Sequence, residues 1–207
     1  LFPYTTLFRS EDLYGIAKML NFAHGDVIMV GGFTIFYAVS MQSWPPLVGV
    51  LIAVVLCTVL GITIEYIAYR PLRQAASSLA VLITAIGVSY LLQNLALLLF
   101  GANPKAFTSV VTVPALKLAD GQLTISGETI VTIVSCLVIM TGLMIFINKT
   151  KAGQAMLAVA EDKGAAQLMG INVNGTISLT FAIGSALAAI AGMLLCSAYP
   201  TLTPYTG

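Results

Sequence analysis

The stretch TIVTIVSCLVIMTGLMIFI, from Thr129 to Ile147, decides the fold class of this chain. It contains no charged side chain, and as an α-helix it would be about 28 Å long. The hydrocarbon core of a bilayer is about 30 Å thick, so the two lengths match. Because lipid offers no partners for backbone polar groups, a run of this kind predicts a membrane-spanning helix.

Three other runs of similar length carry no Lys or Arg: Leu47–Tyr66, Leu79–Phe100 and Ile177–Ala198. The whole chain is 58% hydrophobic and 8% charged, with a mean hydropathy of +0.98. Soluble domains carry about 25% charged residues. The composition therefore predicts an all-α, polytopic transmembrane helical bundle with five to six membrane segments. A net charge of +1 without a basic cluster argues against nucleic-acid binding.

A fifth apolar segment, Val27–Val39, is too short to cross a membrane alone, at about 20 Å. Polar and glycine residues precede it: Asn21, His24, Gly25 and Asp26. One interpretation is a helix broken within the membrane, where such residues line a path for solute. The other is a plain turn at the headgroup level followed by one short helix. Both interpretations remain open from the sequence.

The positions of Lys and Arg predict the orientation. If the spans alternate, six cations share one side of the membrane and two the other, which favours a cytoplasmic location for the six. The six are Lys18, Arg70, Arg73, Lys149, Lys151 and Lys163, and the two are Lys105 and Lys117. The segment Gly101–Gly127 is then external. Its alternating pieces Ser109–Val113 and Leu123–Ser126 flank Asp120-Gly121 and predict a small hairpin.

Between the last two spans lies a polar, alanine-rich segment, NKTKAGQAMLAVAEDKGAAQLMG, residues 148–170. A short mixed-charge helix held between two spans is placed to meet something in the adjoining water. We expect it to dock a separate ATPase; the alternative is a solvated helix without a partner. The chain has no phosphate-binding loop, HExxH or GxSxG motif, which argues against an enzyme and predicts that any ATP is hydrolysed on another chain.

Several polar or small residues lie inside the predicted spans. Ser89, Gln93 and Asn94 are either interhelical hydrogen-bonding groups or the lining of a path. Gly184, Ala188 and Gly192 recur every four residues, a spacing that predicts close helix packing. Glu65 is expected near the cytoplasmic interface beside an arginine. The cysteines, Cys57, Cys136 and Cys196, lack metal-ligand spacing and are expected to be small buried residues.

Several motifs together resemble the LivH-like permease subunits of branched-chain amino acid ABC importers. The resemblance runs in order from Leu13 to Gly207. It rests on YGIAKMLNFAHGD (Tyr14–Asp26), YRPLR (Tyr69–Arg73), LITAIGVSYLLQN (Leu82–Asn94), TKAGQAMLAVAEDKGAAQLMGI (Thr150–Ile171), LTFAIGSALAAIAGMLL (Leu179–Leu195) and PYTG (Pro204–Gly207). The combination of NFAHG, RPLR and the Ala/Gly segment is specific.

The resemblance implies a permease of the bacterial or archaeal inner membrane that moves aliphatic amino acids by alternating access. It implies four kinds of partner: a second permease, two cytoplasmic ATPases that use the ATP, a periplasmic or lipid-anchored binding protein, and the bilayer. No cofactor is expected on this chain. The implied coupling residues are Gly153, Ala160, Glu161, Asp162, Ala165, Ala166, Gly170 and Ile171.

Two other functions remain possible from the sequence. A permease for urea or short amides would have nearly the same scaffold, and an ion-coupled secondary transporter is a different class. The latter is disfavoured because the four full spans lack a mid-membrane acid. Residues 1–10 do not resemble a span and are expected to be a non-native or disordered leader. Residues 11–207 are expected to form a partial permease domain whose C-terminal spans are missing.

Overall fold

The computed structural model describes residues 23–42, 44–72, 78–106, 116–118, 123–199 and 201–205. Five helices in this part of the chain are long and apolar enough to cross a membrane. They contain α1 (Ala23–Phe36), α2 (Pro46–Ile64), α3 (Ser78–Phe100), α4 (Gly127–Lys149) and α7 (Val173–Ala198), and the spans of α1 and α2 extend to Met41 and Tyr69. The prediction of an all-α, polytopic transmembrane bundle is confirmed.

The short segment predicted at Val27–Val39 is longer in the structure. Helix α1 includes Ala23–Phe36 and continues as a π-helical segment, Tyr37–Met41. Helix α2 also ends in a π-helical segment, Glu65–Tyr69. The prediction stopped at polar residues, whereas the helix continues through Gly25 and Asp26 because neighbouring helices surround them. A backbone break at these residues is therefore not found.

The core forms where α1 packs between α2 and α7. A side chain on Gly31 would place its Cβ 2.9 Å from the Cα of Ala189, and one on Gly192 would lie 2.5 Å from the carbonyl oxygen of Ile28. Ala188, in the same stripe of α7, is 1% exposed. Lipid gives helices little hydrophobic reason to associate, so such close backbone approach supplies the attraction.

Helices α2 and α7 run antiparallel, because Glu65 near the end of α2 meets Ser178 near the start of α7. The Ser178 hydroxyl donates to the Glu65 carboxylate at 2.6 Å, and Glu65 is fully buried. As expected, Glu65 lies close to the end of the span Pro46–Tyr69, and its side chain is buried against α7. The guanidinium of Arg70 lies 4.9 Å from the ring centroid of Tyr66, and an arginine beside Glu65 stays a prediction.

The two ends of the bundle differ in composition. The end where α2 finishes and α7 begins, here called the foot end, carries four of the six cations predicted to share a side: Arg70, Lys149, Lys151 and Lys163. Lys18 and Arg73 lie outside the described residues. The opposite end carries exposed Trp44, Tyr199 and Tyr205, as aromatic residues at a membrane interface do.

Two small antiparallel strand pairs lie at the opposite end. Strand β2 (Leu116–Leu118) pairs with β3 (Leu123–Ile125), and β1 (Lys105–Ala106) pairs with β4 (Thr201–Leu202). Strand β3 coincides with the predicted piece Leu123–Ser126, and its partner is β2. The other predicted piece, Ser109–Val113, lies outside the described residues.

Candidate functional site

The segment between α4 and α7 folds into two short helices, α5 (Lys151–Glu161) and α6 (Lys163–Leu168), which form the foot together with the turn that ends at Gly170. Polar side chains fix where each helix begins. The Thr150 hydroxyl accepts from the backbone N–H of Gly153 at 3.0 Å. The Asp162 carboxylate accepts from the N–H groups of Gly164 and Ala165 at 2.7 and 3.1 Å. Asp162, predicted as a docking residue, therefore caps α6.

Two of the predicted coupling residues face the protein itself. Gly153 is buried where α5 turns back onto α4, and a Cβ there would lie 2.5 Å from the carbonyl oxygens of Phe146 and Ile147. Ala166 is 4% exposed. Their small size therefore serves packing within the chain, and the coupling role of the segment that contains them stays a prediction.

The foot ends at Gly170, whose φ is +81°. Its N–H donates to the carbonyl of Gln167 at 3.0 Å, and the N–H of Ile171 donates to that of Ala166 at 3.0 Å. This pair of bonds is a Schellman motif, in which the left-handed position favours glycine. Gly170 therefore has a structural reason to be glycine that does not depend on a partner.

The exposed surface of the foot combines the remaining predicted residues with apolar side chains that the sequence interpretation missed. Ala160, Glu161 and Ala165 are exposed. Leu168 and Met169 are 90% and 82% exposed. In the sequence these two residues form an apolar pair directly before Gly170, after the residues of the foot that pack inward. Large apolar side chains exposed at a polar end are typical of a protein contact surface.

A second cluster of predicted residues lies inside the bundle. Asp26 is 4% exposed, and the Nε2 of Gln93 donates to its carboxylate at 3.0 Å. The same nitrogen lies 3.3 Å from the hydroxyl oxygen of Ser89. Two groups that the sequence left separate, one on α1 and one on α3, thus form one polar cluster.

This cluster lies level with the middle of the spans formed by α2 and α7. The carbonyl of Val27 accepts from the thiol of Cys57, near the middle of the span Pro46–Tyr69, at 3.6 Å. A Cβ on Gly184, near the middle of α7, would lie 3.9 Å from Cε1 of His24. Gln93 is about 22 Å along α3 from Ser78. Neighbours on three helices therefore exclude the interpretation of His24, Gly25 and Asp26 as a turn at the headgroup level.

The remaining predicted residues lie in different environments. Asn94 turns away from the cluster: its Nδ2 donates to the carbonyl of Tyr90 at 2.7 Å, and its side chain is exposed. Asn21 lies outside the described residues. Cys57 and Cys196 are buried as expected, whereas Cys136 is exposed on α4, which contradicts that expectation. No three His, Cys, Asp or Glu side chains group into a possible metal site within the described ranges.

Residues 13–207 match the family described as branched-chain amino acid transport system / permease component. The chain is 36% identical over 205 residues to the high-affinity branched-chain amino acid transport system permease protein BraD of Pseudomonas aeruginosa, covering 94% of this chain. It is 37% identical over 207 residues to the permease proteins LivH of Salmonella typhimurium and Escherichia coli, again covering 94% of this chain. It spans 66% of the length of these three relatives.

No solved structure shows significant similarity to the chain. The family match covers all five long helices, the foot and the intramembrane polar cluster. The motifs that suggested the resemblance thus lie within the matched residues. The chain belongs to the family of permease components of branched-chain amino acid transport systems.

Proposed function

We propose that the protein is the permease subunit of an ATP-binding-cassette importer for branched-chain, aliphatic amino acids in the cell (inner) membrane. A second permease subunit pairs with it, and a periplasmic or lipid-anchored binding protein delivers the solute. Two cytoplasmic ATPases bind and hydrolyse the ATP. The curated relatives BraD and LivH, named as branched-chain amino acid permeases, support the choice of solute.

The observation that carries the proposal is the exposed surface of the foot. Leu168 and Met169 project from the end of α6, while Gly153 in α5 and Ala166 in α6 are buried. The foot also lies at the end that is richer in Lys and Arg, which the positive-inside rule assigns to the cytoplasm. An apolar surface on that side is positioned to contact the ATPases.

The foot is also connected directly to the membrane-spanning helices. It leads through Ile171 into α7, which packs against α1 and α2. The Ser178–Glu65 hydrogen bond links α7 to α2 two turns beyond the foot. We therefore propose that closure of the ATPases displaces the foot and reorients these helices, which gives alternating access without covalent chemistry on this chain.

Uptake into proteoliposomes tests the proposal. The full-length protein would be reconstituted with a second permease subunit, two ATPases and a binding protein from the same organism. Labelled leucine should accumulate only with ATP and the binding protein, and should continue after ionophores collapse all ion gradients. Uptake that persists without ATP but stops with the gradients would indicate an ion-coupled transporter. Transport of labelled urea or acetamide but not leucine would indicate an amide permease.

A further inference from the structure

Polar and small residues cluster on one side of α3 between Gly87 and Asn94, whereas the same side carries Ile83 and Ile86 nearer the start of the helix. At 100° per residue, Ser89, Gln93, Tyr90, Asn94 and Gly87 follow one another around an arc of about 160°. We call this set the polar arc. Ser89 and Gln93 are half-buried beside α1, and the other three are exposed. The arc therefore begins inside the bundle and continues onto its outer surface.

The other exposed half of α3 is made of leucines: Leu91, Leu95, Leu98 and Leu99. Helix α2 offers a second comparison, since its outward face consists largely of aliphatic side chains, including Leu51, Val55 and Val59. Aliphatic faces of this kind suit lipid chains. The polar arc has a different composition at the same depth, so a different environment should cover it.

Lipid would leave polar groups of the arc without partners. The one hydrogen bond that Asn94 makes among the described residues is to its own helix, and Tyr90 is 63% exposed near the middle of the span. Burying an amide or hydroxyl without a hydrogen-bond partner costs about 2–7 kcal/mol. Polar residues in spans accordingly face protein or a water-filled cavity.

The buried end of the arc supplies an independent observation. Asp26 is a carboxylate at mid-membrane depth, and Gln93 donates to it at 3.0 Å. Gln93 and Ser89 are only half-buried, so this carboxylate is one side chain away from the surface where Tyr90 and Asn94 lie. An intramembrane carboxylate is costly in hydrocarbon and marks an ion or solute path. Its continuity with the polar arc favours water there over a dry contact with protein.

We propose that the polar arc of α3 lines the water-filled path of the importer and binds the amino and carboxylate groups of a zwitterionic solute. This inference rests on the proposed function. The exposed amide and phenol can each donate to a carboxylate and accept from an ammonium, so neither charge is rejected. Gly87 leaves open space, since a Cβ there would meet nothing within 4 Å. Asp26 acts as a positioning residue that orients Gln93.

Cysteine accessibility tests the proposal in the assembled full-length importer in membrane vesicles. The background is Cys136→Ser, which removes the exposed thiol, whereas Cys57 and Cys196 are buried. Gly87→Cys and Asn94→Cys would be compared with Val55→Cys, a matched exposed position on the aliphatic face of α2. A charged, membrane-impermeant methanethiosulfonate reagent reports water, because it attacks the thiolate.

We expect the reagent to modify Gly87→Cys and Asn94→Cys at least about tenfold faster than Val55→Cys, since the thiolate forms only in contact with water. Leucine should slow the modification. Labelling as slow as that of Val55→Cys would overturn the proposal, and disulfide formation between subunits at these positions would identify a dry interface instead. The labelling rate does not depend on ATP hydrolysis. If the two cysteines are labelled rapidly but leucine does not slow the reaction, the water-filled path is supported and binding of leucine there is contradicted.

Discussion

Helices α7 and α4 are both long enough to span a membrane, yet they pack very differently. Helix α7 has eight buried residues, whereas in α4 only Gly127 is buried. Both carry an internal glycine, but a Cβ on Gly192 would strike the backbone of α1 and one on Gly142 would meet nothing within 4 Å. Hydropathy therefore identifies both as spans, while small residues at close contacts decide which becomes the centre of the bundle.

The largest effect should come from filling the α1–α7 contact. Gly192→Leu places a Cβ 2.5 Å from the carbonyl oxygen of Ile28, where only backbone movement can relieve the clash. We expect a loss of about 3 kcal/mol of stability, the upper end of overpacking effects. Size-exclusion of the detergent-solubilised protein after heating would show a lower midpoint and less monodisperse protein.

The matched control is Gly142→Leu on α4, which should leave that midpoint unchanged because the position is open. Equal effects at the two glycines would mean that α4 is as tightly packed as α7. The contrast between the two helices would then be wrong.

A smaller effect is expected at the contact of α2 with α7. A Cβ on Gly61 would overlap the Ser185 hydroxyl and lie 2.6 Å from the Ser185 Cβ. Gly61→Ala should therefore cost about 2 kcal/mol. Adding Ser185→Gly removes the obstructing atoms, so the double variant should be more stable than Gly61→Ala alone. Strictly additive losses in such a cycle would show that the two residues do not touch.

The buried hydrogen bond between α7 and α2 should contribute less. Ser178→Ala removes a donor to the carboxylate of Glu65, and a hydrogen bond to a charged group is worth about 1.5 kcal/mol or more. The control is Thr63→Ala, whose exposed hydroxyl donates to the carbonyl of Val59 in its own helix at 2.7 Å. Indistinguishable thermal midpoints for the two variants would remove Ser178 from the link between foot and spans.

The smallest effect is expected at Gly170, at the end of the foot. There the strain of the backbone can be measured without a steric clash. Gly170 has a φ of +81°, and a Cβ added there would meet nothing within 4 Å, so a substitution introduces strain but no clash. Gly170→Val should cost about 1 kcal/mol, and Gly170→Asn less, because Asn tolerates the left-handed region. Limited proteolysis of the foot would measure the difference, and equal cleavage of the two variants would contradict the strain argument.

Much of the fold was predictable because spanning a membrane demands long apolar helices. The runs at Leu47–Tyr66 and Thr129–Ile147 agree closely with the helices found. The extent of α1 was not predictable, because His24 and Asp26 look like the end of a span until their neighbours are known. Their depth comes from contacts with Cys57 and Gly184, which are far away in sequence.

The candidate site was predictable in its location but not in the roles of its residues. The foot was found from its composition, yet Gly153, Asp162 and Gly170 serve packing, capping and chain reversal. Sequence spacing does not separate a small residue that packs inward from one that meets a partner. Similarly, Gln93 and Asn94 are adjacent in sequence, but only Gln93 bonds to α1, which the packing of the helices determines.

The central claim is that ATPases drive this permease through the exposed surface of its foot. The most direct test is co-purification of the ATPases with the full-length complex carrying Leu168→Ser and Met169→Ser together, with Gln154→Ser on the exposed side of α5 as the control. We expect an intact permease that loses its ATPases and ATP-driven uptake, while the control keeps both. A doubly substituted complex that retains both ATPases and normal uptake would contradict it.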